Sequence, residues 1–183
     1  MSIARLFGSA ALLLLAIEVA GCASMAGDSG PPEAGDAQSA AAFDRMKGLA
    51  GTWTGEMSFG GEKNPARVEY RVTSGGSAVE EVLFRGTPHE MVTMYHRDGP
   101  RLMLTHYCAA QNQPTMVLLP GDDPSHLRFG FLRAANLKTP GEGHMHEAEF
   151  DLSDPAWLKA SWTYWEEGKD GGAAVIDLRR AKP

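Results

Sequence analysis

The chain has 183 residues, room for a single domain of ordinary size. With 43% apolar residues, 22% charged residues and 21 glycines, it reads as globular rather than collagenous, wholly disordered or polytopic in a membrane. Seventeen Lys and Arg against 23 Asp and Glu leave a net charge of −6, which repels phosphate backbones and argues against nucleic acid as a partner.

The first segment reads as an address. Arg5 supplies a short positive region and Ala10 to Ile17 an apolar stretch of signal-peptide length, too short to span a bilayer. Val19-Ala20-Gly21-Cys22 then resembles a bacterial lipobox. That resemblance implies a signal peptide over 1–21, lipid on Cys22, and Cys22 as the mature N-terminus. Two acyl chains plus an N-acyl group would anchor the protein stably, since each buried methylene contributes about 0.8 kcal/mol. Ser24, two residues beyond the cysteine, resembles sorting to the outer membrane of a Gram-negative envelope, with the domain on the periplasmic side. Residues 22–41 are small, polar and rich in Pro and Gly, which predicts a flexible linker. The barrel domain is expected over 42–183.

A short helix is predicted over 40–49, with Phe43 and Met46 on one face, placed to close one end of the domain. Beyond Gly51 the apolar period changes to two and turn signals recur about every ten residues, an all-β rhythm. Ten strands are predicted, at 52–59, 66–74, 77–85, 90–97, 101–108, 114–119, 126–133, 144–151, 157–166 and 173–181. Leu127, Phe129 and Phe131 alternate with Arg128, and Val68, Tyr70 and Val72 with Arg67, Glu69 and Arg71, so each of these strands has one buried face. Short sequential connections favour an up-and-down antiparallel meander. Closure into a barrel would remove its two edges.

Leu49-Ala50-Gly51-Thr52-Trp53 resembles the Gly-x-Trp opening of the lipocalin-like (calycin) barrels. The resemblance implies that Trp53 closes the barrel floor beneath an arginine of the last strand, Arg179 or its neighbour Arg180. GGSAVEE, GTPHEMVTMYHRDG, LTHYCAAQNQP and HMH resemble a family of uncharacterised bacterial secreted proteins with such a domain. Gly60 to Pro65 is too short for the helix pair of fatty-acid-binding proteins, which leaves lipocalins and nitrobindin-like haem barrels as nearer cousins. The motifs of the haem barrels are not clearly present.

Candidate chemistry concentrates in residues 89–108. If Asp98-Gly99 form a two-residue turn, Tyr95 pairs with Leu102, Thr93 with Leu104, Met91 with His106 and His89 with Cys108. One face then carries His89, Met91, Thr93, Tyr95, Leu102, Leu104, His106 and Cys108, and the charged character of the other face orients this one inward. Cys108 has no papain-like or thioredoxin-like surroundings and reads as a small buried hydrophobe. His144 and His146 share a face of a later strand, where an H-x-H pair can chelate a metal, although scattered histidines in a β protein are ordinarily structural. Asn112 belongs to a polar rim loop that can contact a ligand. No nucleotide loop, serine-hydrolase elbow or zincin helix is present.

Three functions fit these residues. The first is a lipid-anchored barrel that binds a small apolar or amphipathic molecule, using His89, Met91, Tyr95, His106, Asn112, His144 and His146, with no cofactor, metal or catalytic residue. The second is a His-based metal or haem site, or an acid–base enzyme, on His89, His106, Tyr95 and His144 or His146. The third is a filled barrel acting as an envelope interaction module.

Overall fold

The computed structural model describes residues 30–182. The expected signal peptide and Cys22 lie outside these residues. A helix, α1 (Asp36–Gly48), precedes ten strands: β1 (Gly51–Phe59), β2 (Glu62–Thr73), β3 (Ala78–Leu83), β4 (Met91–Asp98), β5 (Arg101–Tyr107), β6 (Gln113–Leu118), β7 (His126–Ala135), β8 (His144–Asp154), β9 (Trp157–Glu166) and β10 (Lys169–Arg180). Each strand pairs antiparallel with its sequence neighbour, and β10 returns to β1, so the sheet is a closed barrel in up-and-down order. All ten predicted strands are present. β2 and β10 start four residues earlier than expected, because Gly60-Gly61 and Glu167-Gly168 make the turns and the polar residues after them already pair.

Order begins earlier than the predicted linker allows. The Ala34 backbone N–H donates to Leu118 O at 2.9 Å, and α1 starts at Asp36, whose carboxylate pairs with Arg97. Residues 34–41 thus belong to the domain: the aromatic-free stretch is short on bulk but contributes Ala34, Ser39 and helix-forming alanines. Phe43 and Met46 are buried against the barrel core as expected.

Trp53 closes the helix end. It is 1% exposed, and its indole N–H donates to Leu49 O at 2.8 Å. The Arg180 guanidinium lies 4.3 Å over its ring and donates to Ala50 O and Gly48 O, both at 2.9 Å. Gly48 is the last residue of α1 and Ala50 lies just past it, where carbonyls lack intrahelical partners and a cation is favoured. Arg179 does not take this place. Trp53 pairs with Arg180 and Thr54 with Arg179, so the period of two puts Arg179 on the outer face, over Trp157.

The 89–108 hairpin differs in register from the expectation. Tyr95 pairs with Leu104 and Thr93 with His106, because the two-residue turn is Gly99-Pro100. Gly99 has φ +58°, the positive value that a type II′ turn needs at its first central residue, and proline's fixed φ suits the second. A shift of two residues conserves the faces. Thr93, Tyr95, Leu102, Leu104 and His106 are all buried.

Deletion of the floor is expected to be costly. Trp53→Ala should lower the free energy of unfolding by about 3–5 kcal/mol in chemical denaturation, as other core Trp truncations do. Arg179→Ala should leave the denaturation midpoint nearly unchanged.

Candidate functional site

Four successive strands place one polar residue each at the same height of the inner wall. Tyr70 of β2 pairs with Glu81 of β3, Glu81 with Thr93 of β4, and Thr93 with His106 of β5. All four are buried. Direct cross-strand partners share a face, so the row forms a polar ladder inside an apolar barrel.

The bonds along the ladder are short. The Tyr95 hydroxyl, one pleat away, donates to Glu81 Oε2 at 2.6 Å, and the Tyr70 phenol also reaches this carboxyl. Thr93 Oγ1 and His106 Nδ1 are 2.9 Å apart, and the His106 ring lies 4.8 Å from that of Trp162. Burial raises the Glu81 pKa above the usual carboxylate value, against the two phenols, which favour the charged form. Burial lowers His106 to about 4, so its imidazole is neutral near pH 7. Tyr70 and Tyr95 are pushed well above the ordinary phenol value by burial and by the Glu81 charge.

Glu81 and His106 border a cavity of about 370 Å³ whose other walls are apolar. It lies toward the barrel end opposite α1. Met57, Met91 and Met145 line its sides, Trp162 flanks His106, and Phe59 meets Tyr164 edge-on at 6.2 Å near the mouth. Phe59 is 43% exposed there. The Tyr164 ring packs so closely on Gly143 that an added Cβ would lie 1.6 Å from its hydroxyl. Asn112 fixes that segment by donating from Nδ2 to Gly143 O at 2.8 Å, while its buried Oδ1 has no partner among the described residues.

The expected site residues therefore separate. His106 and Met91 line the cavity, and Tyr95 stands behind Glu81. Asn112 is a buried staple of the rim, and Cys108, half-buried beside it, has its thiol pKa raised by burial. His89 is exposed in the turn before β4, since β4 begins only at Met91, and it does not pair with Cys108.

His144 and His146 also miss the interior. Met145 pairs with the cavity-lining Tyr164, and His144 with Trp165, but Glu147 pairs with Thr163, so one extra residue is accommodated at His146. This β-bulge turns Met145 inward and both histidines outward. His146 stacks between Phe131 at 4.4 Å and Trp165 at 4.2 Å, and its Nδ1 lies 3.2 Å from His144 Nε2. Phe131, expected on the inner face, joins this outer stack. No group of three or more His, Cys, Asp or Glu able to hold a metal occurs among the described residues.

Glu81 is not identifiable from the sequence pattern. In Ala78–Leu83 both alternating sets contain one glutamate, Glu80 with Val82 and Glu81 with Val79 and Leu83, so alternation alone does not say which is buried. The pairing of Glu81 with Tyr70 through the Ser74–Gly76 turn decides it.

No family model matches the chain, and no curated protein matches it. Among solved structures, the crystal structure of Rv2717c from M. tuberculosis is similar, with a TM-score of 0.52 at 13% identity over 77% of this chain and 98% of that one. At that identity the likeness concerns the fold.

The two buried titrating groups act on stability with opposite signs. Unfolded His106 binds a proton below about 6.5 and folded His106 only below about 4, so its contribution is lost as pH falls through this window, by up to about 3 kcal/mol. Glu81, raised in the fold, stabilises below its unfolded value near 4.5 and loses that contribution as pH rises through its folded value. In denaturation series, His106→Gln should remove the acid-side loss. Glu81→Gln should gain stability over the parent protein as pH rises toward neutrality.

Proposed function

We propose that this protein is a binding barrel that carries a small, largely apolar molecule with one polar end, held at the bacterial envelope by lipid on Cys22. The supporting observation is the cavity: about 370 Å³, near the lower bound of ordinary small-molecule pockets, apolar except for Glu81 and His106. A barrel sealed at one end by Trp53 and open near Phe59 gives a ligand one route in. Met57, Met91 and Met145 suit an irregular guest, because thioether side chains adapt their shape at little cost. Glu81 and His106 orient the polar end, and Tyr95 positions Glu81. Anchoring at the periplasmic face of the outer membrane would keep the mouth near lipidic or amphipathic molecules.

A second reading, acid–base catalysis, is favoured by one observation. Burial in the same cavity pushes the Glu81 carboxyl toward its protonated form and keeps the His106 imidazole neutral, an acid and a base side by side. A bound guest released with unchanged mass supports carriage. A guest recovered as a converted product supports catalysis.

Two measurements test the main reading. Ala174 lines the cavity, so Ala174→Leu should fill it and abolish guest retention in native mass spectrometry, with the circular dichroism spectrum intact. Retention at the parental level by a folded variant would place binding elsewhere. Cys22→Ser should move the protein from the membrane to the soluble periplasmic fraction. Persistence in the membrane would remove the anchor from the proposal.

A further inference from the structure

We propose that the polar end of the guest is a cationic amine, received by Glu81 with aromatic rings and thioethers around it. The inference rests on the binding reading above and names the guest's chemistry. Glu81 is 3% exposed, and the groups facing it are Tyr70 on β2, Thr93 and Tyr95 on β4, and His106 and Tyr164 across the cavity. None of these is a cation near pH 7, and among the described residues no Lys or Arg lines the cavity. A carboxylate buried without a counter-charge is costly, and a protein that keeps one beside an open cavity leaves the counter-charge to be supplied from outside.

The walls favour the same sign. Trp162, Tyr164 and Phe59 present π-systems, which attract ammonium groups, most strongly where water is excluded. An anionic head would meet Glu81 and no positive group. An uncharged head would leave the carboxyl uncompensated. Tyr95 and Tyr70 occupy part of the carboxyl with hydrogen bonds, which holds its orientation while it still borders the cavity. Neutral His106 contributes a polar ring without repelling the cation.

The test uses the purified full-length protein and three small probes of similar shape: phenyltrimethylammonium, its uncharged isostere tert-butylbenzene, and benzoate. Titration calorimetry should show phenyltrimethylammonium binding at least about tenfold more tightly than tert-butylbenzene, with benzoate weakest. The quaternary head has no proton of its own. Its affinity should rise with pH as Glu81 ionises, above the ordinary carboxylate range, and proton release should accompany binding. Glu81→Gln should bring the cation to within about threefold of tert-butylbenzene and flatten the pH profile, while tert-butylbenzene still binds. Equal or tighter binding of the neutral or anionic probe, or a cation preference that survives Glu81→Gln, overturns the amine and leaves the cavity reading standing. Failure of all three probes to bind overturns the cavity reading as well.

Discussion

Arg180 joins three parts of the chain that are far apart in sequence. Its guanidinium covers the Trp53 ring of the first strand, donates to carbonyls at and just past the end of α1, and belongs to the strand that closes the sheet. The planar, permanently charged group suits this place, since it can stack on a ring and donate along its edge together. With one end fixed so, the buried side chains of the barrel pack in one core that includes Trp53, and the cavity opens toward the opposite rim.

Around that cavity the barrel departs from an apolar filling. Tyr70, Glu81, Thr93 and His106 form a row in which each polar group has a partner within the row or one pleat away, so most of the desolvation cost is offset by short hydrogen bonds. The carboxyl has hydrogen-bond partners in Tyr95 and Tyr70 but no counter-charge among the groups that face it. Burying a carboxyl without a counter-charge costs the fold more than burying an apolar side chain, and local violations of stability rules concentrate where a protein handles something other than itself.

Much of this architecture is legible in the sequence, for a physical reason. Strand periodicity and turn chemistry are local, so ten strands and their sequential order follow from Val68-x-Tyr70-x-Val72 patterns and Gly-rich separators. Parity is equally robust: the turn shifts from Asp98-Gly99 to Gly99-Pro100, yet Tyr95 and His106 keep their face because two residues restore it. What escapes is whatever depends on an odd offset or on a partner strand. The extra residue at His146, the choice between Glu80 and Glu81, and the start of β4 after His89 are of this kind. The helix beginning at Asp36 escapes for a different reason, because its alanine-rich start resembles a linker in composition.

The bulge in β8 shows how the lining of such a barrel is written. Met145 and His146 are neighbours, and a single surplus residue decides that the thioether rather than the imidazoles faces the cavity. One residue added opposite, between Thr163 and Tyr164 of β9, would give His146 a partner and return His144 and His146 to the phase of Ala148 and Phe150. That stretch of wall would then present two imidazoles in place of a thioether. Insertions and deletions in a closed meander are thus a coarser instrument than substitution. They exchange an entire stripe of side chains at once, and a family of barrels with one backbone plan can diverge in cargo by frame rather than by composition.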